Sequence, residues 1–515
     1  MVLIDGHDSG WLKKFHTAAA AVCSNSEDLT GREAVTKPSA VSGSSDKTIE
    51  MEEQKRKLVF MHLNLGHVPW DQLPMRHRNS TEISRSYRFL AIEVVDCSGL
   101  EHGLPFIFQL PMRHLYISHK GFLTEKLSRI VSNGLGDSAL TLQRLQVSGV
   151  LFTTTTMKRF MNGLAAASAL QELNLSYTNF LGEHSDDDSL LDIAAMVPAS
   201  TSSPTVEVLA HGLSKSQLFC LKLNKCHLTD EGVSILVRRG FCHNSNLQEL
   251  YLGGNKIGRE GLSALAEYLA HPSSSSLVTL GLSNSMEADD SESESGKDSH
   301  KIVKLYPALA ANKSLRVLHL ASNDLTDEDM IPLCAAIAES NVSMLDLKSN
   351  RITSDGVRLL AEHLPPKLEQ LWLLGNSVGV TGALAMRDAL AKNHVNLIDL
   401  RIPKYESFML MPELEAIEND CHYYLLLNRG GRRILLDEEK DTEYHKGKTC
   451  SQAFPQRGPK VPQSLWPTVL ERVNRVDLVI PWCRAATYKS VDHNRAQVIF
   501  YFLKNSTLFE QRHGW

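Results

Sequence analysis

Three Cys-His dipeptides are the first residues in this chain whose types suggest chemistry: Cys226-His227, Cys242-His243 and Cys421-His422. Thiolate and imidazole are good metal donors, but a zinc site needs several of them converging, usually announced by Cys-x-x-Cys or His-x-x-x-His spacing. No such spacing occurs. The glycine-bearing stretches GLGDSAL and LNRGGRR match neither a phosphate-binding G-x-x-x-x-G-K-S/T loop nor a dinucleotide G-x-G-x-x-G turn. A G-x-S-x-G elbow and an H-E-x-x-H helix are also missing. The residues therefore point away from catalysis, metal and cofactor, and away from a small-molecule substrate. The chemistry left for the chain is recognition.

What positions those residues is a repeat. The pattern L-x-x-L-x-L-x-x-N-x-L starts at Met112, Leu142, Leu170, Leu218, Leu247, Leu277, Leu315, Val342, Leu368 and Leu397. The period is about 28 residues once two inserts, near 183–204 and 285–300, are set aside. Fainter rungs start at Tyr87 and Phe60, which makes about 12. L-x-L is a period-two signal that sends two leucines to one side of a short strand. Position nine of successive rungs carries Thr178, Cys226, Asn255, Ser285, Asn323, Asn350 and Asn376, all able to hydrogen-bond the backbone of a turn. Spacings such as Gly261, Leu265, Ala266, Leu269 then give one apolar helical face. Each repeat is a strand, a turn and a helix, and stacking makes the core continuous. Helices are wider than strands. The expected fold is an α/β class, right-handed solenoid of horseshoe form, with parallel strands on the concave face and helices on the convex face.

Positions five and seven of each rung flank the inward leucines and face the concave side. Among them stand Tyr116, Lys222, Tyr251, His319, Asp346, Lys348, Trp372, Leu374 and Arg401, the candidate partner-binding residues. Tryptophan between opposite charges is typical of an interface hot spot, and Arg401 is placed to stack on the Trp372 ring. The alternative is that Trp372 is covered by the chain's own C-terminal segment.

Residues 1–57 read as a disordered tail, 58–410 as the solenoid, and 411–515 as a helical C-terminal cap with a charged linker over 437–460. Leu414, Ile417, Cys421 and Tyr424 fall on one face of a capping helix, onto which Trp466 and Phe500 are expected to pack. Arg429, Arg432 and Arg433 suit ordinary salt bridges and helix C-terminal contacts. The acidic tracts SDDDS and DDSESES in the inserts resemble acidic-kinase substrates and read most simply as solvated loops. A net charge of −5 gives no general attraction to nucleic acid or membrane. Nine scattered cysteines suit free thiols in a reducing compartment, so a cytoplasmic location is expected.

The period, the Asn or Cys at position nine and the full helix per repeat resemble the leucine-rich repeat family, ribonuclease-inhibitor-like subtype, over residues 60–410. Members of that type are mostly intracellular protein-binding modules. The resemblance therefore implies a non-catalytic scaffold with a protein partner on the concave face. LNRGGRR, SLWPTVLERVN and IFYFLKN resemble a C-terminal extension of uncharacterised leucine-rich-repeat proteins of diatoms and related algae, carried by Asn428, Gly431, Arg432, Trp466, Pro467 and residues 500–503. Ran-type GTPase-activating proteins have similar repeats with an arginine and an acidic tail. Arg351 is a candidate here, but residues 422–515 are basic in balance. The recognition end of an immune-type receptor would need a nucleotide-binding domain, and this sequence shows no sign of one.

Overall fold

The computed structural model describes residues 2–5, 10, 12–14, 57–70, 91–110, 112–181, 203–286, 301–392, 394–403, 412–432, 466–474, 495–500 and 502–503. The chain divides into two compact units, Met1–Thr279 with Ser285–Asp289, and Leu280–Asn284 with Asp290–Trp515. Both are built of short strands that mostly alternate with helices, an α/β arrangement. The acidic stretches of the two inserts lie outside the described residues, as do most of the tail and the charged linker.

In the first unit the strands are β1 (Val2–Asp5), β2 (Lys57–Met61), β3 (Ala91–Val95), β4 (His114–Phe122), β5 (Arg144–Phe152), β6 (Glu172–Asn174), β7 (Asn179–Phe180), β8 (Cys220–Lys222) and β9 (Glu249–Tyr251). They pair in parallel in chain order, except that β7 pairs with β5 and β6 passes directly to β8. β10 (Thr279–Gly281) falls at the division. In the second unit β11 (Val317–His319), β12 (Met344–Asp346), β13 (Gln370–Trp372) and β14 (Asp399–Arg401) pair in parallel in the same way.

The inward positions behave as the pattern demands. Leu145, Leu173, Leu221 and Leu250 in the first unit, and Leu318, Leu345, Leu371 and Leu400 in the second, are buried to within 1% of full coverage. Burying each such side chain is worth roughly 1.5–3 kcal/mol. Opposite them pack helices such as Arg259–Ala270, which buries Gly261, Leu262, Leu265 and Leu269. In the second unit Ser354–Glu362 buries Val357 and Leu360. Of the helical face read from the sequence, Gly261, Leu265 and Leu269 are buried and Ala266 is half-buried, with Leu262 joining the core beside them.

Four expectations need correction. Residues 2–5 are not part of a structureless tail: β1 pairs with β2, and Ile4 is fully buried. The two faint rungs are out of register. Lys57 aligns with Ala91 and Ala91 with His114, so position three of these rungs falls at Lys57 and Ala91, whereas starts at Phe60 and Tyr87 would put it five residues later and two residues earlier. The decoy in the first was a second L-x-L, Leu63 and Leu65, lying in the turn. In the C-terminal segment, Phe500 is 65% exposed, and it is Phe502 that packs with Leu426, Leu427, Val469, Val473 and Val498. A one-letter alternation in IFYFLKN misassigned the ring. A Cβ at Gly430 would come 2.4 Å from the Phe502 ring, so the helix can receive that ring only at a glycine. The side chains of Trp466 and Leu414 lie outside the described residues.

The capping helix, Pro412–Gly430, buries Ile417 and Cys421, while Tyr424 is half-buried. Its arginines serve the backbone. Arg432 donates to the carbonyls of Leu390 and Ala391, in the last turn of helix Gly379–Lys392, and Arg429 donates to Ile398 O. Asn428 Nδ2 donates to His394 O and Leu397 O. These contacts satisfy carbonyls that a helix end and a strand entry leave without partners. Arg433 lies outside the described residues. Burial, with Arg429 and Arg495 nearby, holds His422 down to about 4.

Candidate protein-binding face

Strand register brings the position-five residues into rows. Glu93, Tyr116, Gln146, Asn174, Lys222 and Tyr251 are successive partners in the first unit. His319, Asp346, Trp372 and Arg401 are successive partners in the second. All but the buried Asp346 are half-buried, standing between core and solvent.

In the second unit the row forms one connected group. Lys348 Nζ lies 4.4 Å and Arg401 Cζ 4.3 Å from the Trp372 ring centre. The indole Nε1 donates to Asp399 Oδ2 at 3.0 Å, and Arg401 Nε donates to the same oxygen at 3.2 Å. Asp346 takes the Lys348 amide at 3.1 Å, the Lys348 ammonium at 3.3 Å and the His319 ring at 3.3 Å. Burial alone would raise the Asp346 carboxyl, but those donors hold it below the ordinary carboxylate range. The result is a half-buried tryptophan gripped by cations whose own positions are fixed by carboxylates. Leu374, two residues on in the same rung, is half-buried. Among the described residues it is the neighbouring rungs that contact Trp372. Residues 404–411, the start of the segment expected as an alternative cover, lie outside them.

The first unit repeats the theme with tyrosines. Lys57 Nζ sits 5.4 Å from the Tyr116 ring centre and 2.6 Å from Glu93. Glu172 joins Arg144 at 3.3 Å and Lys222 at 2.5 Å, and Lys222 Nζ lies 5.7 Å from the Tyr251 ring. Burial works against the Lys222 ammonium, but Glu172 more than restores it and the pKa is raised. Tyr251 OH donates to Glu249 Oε2 at 3.3 Å, and burial followed by that carboxylate pushes its pKa up.

Sequence reasoning missed the carboxylates that organise these rows: Glu172, Glu249 and Asp399, all at position three. The signal was present. A period of two puts positions three, five and seven on the same side of a strand, and only five and seven were read. Cys97 was missed for a different reason. In the corrected register it occupies position nine, with Sγ 3.5 Å from Phe60 O, a counterpart of Cys226 Sγ at 3.1 Å from Leu175 O. Among the described residues no group of three or more His, Cys, Asp or Glu side chains is placed to hold a metal ion. No described helix is long and apolar enough to cross a membrane.

Comparison with known proteins agrees with this construction. The family described as "Leucine Rich repeat" matches residues 243–266, 311–334 and 340–361. A ribonuclease inhibitor from Sus scrofa is 29% identical over 283 residues, which cover 54% of this chain and 55% of that protein. A ribonuclease inhibitor from Mus musculus is 28% identical over 300 residues, covering 52% and 59%. Three segments of the chain thus match the leucine-rich repeat family, and the chain is similar to ribonuclease inhibitors while spanning less than two thirds of either relative. Among solved structures, an internalin from Listeria monocytogenes aligns over 77% of this chain and 95% of its own at 14% identity, with a TM-score of 0.33.

Proposed function

We propose that the chain is a non-catalytic cytoplasmic scaffold that binds a protein partner on the exposed face of its strands. The observation that carries this reading is the alternation along each strand. Inward positions are buried and, but for Phe60, aliphatic, whereas outward positions vary and bear Lys222, Tyr251, His319, Lys348, Trp372 and Arg401, half-buried and held by carboxylates, with Tyr116 under the Lys57 ammonium. Aromatic and arginine side chains fixed in place before binding are what interface hot spots consist of. The relatives' name supports it too, since it describes a protein that acts on another protein.

Trp372→Ala and Tyr251→Ala test the reading, each scored for partner capture and for melting. A ribonuclease, the target in the relatives' name, is the first defined partner to titrate. Loss of capture by about tenfold or more with little change in melting is expected for a hot spot. Capture that survives while melting collapses would place both rings in the fold alone.

The alternative is a GTPase-activating regulator of a Ran-like GTPase. Arg351 is the residue that favours it: it stands exposed on a turn, its Nε 2.8 Å from Asp324 Oδ1. A GTP-hydrolysis assay decides, and absence of stimulation by the wild-type chain removes the option.

A further inference from the structure

Position eight of the rungs has a backbone requirement of its own. His62, Asp96, Tyr177, Lys225, Gly254, Asn284, Ser322, Ser349 and Gly375 all occupy it, and all have positive φ, between 46° and 76°. Glycine, asparagine and aspartate tolerate this left-handed region; long and bulky side chains do so only under strain. Two neighbouring rungs place such side chains there, Tyr177 at φ 64° and Lys225 at φ 53°.

The fold gains little from either. Tyr177 is 59% exposed, and among the described residues its hydroxyl makes no hydrogen bond. The Lys225 ammonium has no carboxylate partner among the described residues, whereas Lys222 and Arg144 close by are neutralised by Glu172. What the two residues have is each other. Lys225 Nζ lies 5.1 Å from the Tyr177 ring centre, a contact of small value in water. The Lys225 stem lies along the bare backbone of Gly254, where a Cβ would come 2.5 Å from its Cγ. Strain that the fold does not offset collects where a surface meets a ligand.

We infer that Tyr177 and Lys225 form an anchor point for the protein partner, engaging a segment in which an acidic side chain stands next to an apolar one. The carboxylate pairs with the Lys225 ammonium and the apolar side chain lies on the open part of the Tyr177 ring. This assignment rests on the scaffold reading and specifies one of its contacts.

Random peptides displayed on phage, selected against the full chain, are the probe. Enriched peptides are expected to pair Asp or Glu with an aliphatic or aromatic neighbour. Tyr177→Gly should weaken them by about tenfold or more, while its melting temperature holds or rises because the strain is relieved. Lys225→Glu should abolish their binding and, used as bait itself, select Lys or Arg in place of the acid. Peptides without acidic preference, binding indifferent to both substitutions, or no enrichment at all would overturn the assignment. Peptides lost with Trp372→Ala but unaffected by Tyr177→Gly and Lys225→Glu would leave the scaffold reading standing and remove this contact alone.

Discussion

Two regions of this chain solve the same problem in different ways. After each strand the chain must bend away, leaving backbone groups in the interior that need partners. In the rungs of Asn255, Asn323, Asn350 and Asn376 a buried amide does the work. Asn350 Oδ1 accepts from the amides of Asn323 and Leu325, and its Nδ2 donates to Leu320 O and Leu347 O. In the rungs of β4 and β5 the position-nine residues are Lys120 and Val150, which offer no such group. There the strand continues through the bend: Gly121 pairs with Val150, Phe122 with Leu151, and Leu151 with Asn179 of β7. Backbone pairs with backbone, and Phe152, Phe160 and Phe180 fill the space, with ring centres 5.3 and 6.4 Å apart. Position nine matters only where the backbone has no strand to lean on.

The largest expected effect in breaking that contrast is at Asn350. Asn350→Ala strands two amides and the Leu320 carbonyl in the interior, while Leu347 O keeps Asn376 Nδ2, and should cost about 4 kcal/mol in urea unfolding. A loss under about 1 kcal/mol would show that the ladder is dispensable. Cys226 comes next. Burial pushes its thiol up to about 11 from an ordinary 9, even though the Thr178 hydroxyl draws it down. The folded chain then holds this proton over a range where the unfolded chain releases it, so stability falls as pH rises from 9 toward 11. This thiol's share of the loss should approach roughly 3 kcal/mol, so Cys226→Asn should lose less than the wild type by about that amount over the same range. The smallest effect is the reverse graft. Val150→Asn supplies the ladder's residue to a rung that already pairs through its backbone, so it should destabilise by about 2 kcal/mol by burying an unused amide. If it stabilised instead, the two solutions would be interchangeable.

How far the sequence could be read follows the same contrast. Leucines at positions four and six are dictated by burial alone, so they were legible wherever the rung was regular. Lys120 and Val150 stood out as departures, but nothing local shows that the neighbouring rung extends its strand in register to accept the missing bonds. Phe60 and Tyr87 were misplaced as starts because the turn segment of the first rung carries its own L-x-L, and a two-residue slip in the second preserves the alternation of faces. On the strand face, the aromatic and cationic members of each row were visible from spacing. Spacing also puts their organisers, Glu172 and Asp399, on that face at position three, but which cation or ring each one holds is fixed by register across strands and not by its place in the repeat.

The four-residue strand Val2–Asp5 has a consequence for how this protein is handled. It lies alongside β2 and uses hydrogen-bonding groups that would otherwise face water as a bare ribbon edge. Trimming those residues, or forcing a rigid fusion against them, uncovers the apolar surface in which Ile4 is buried, so a preparation made tidier there should be the one that clumps.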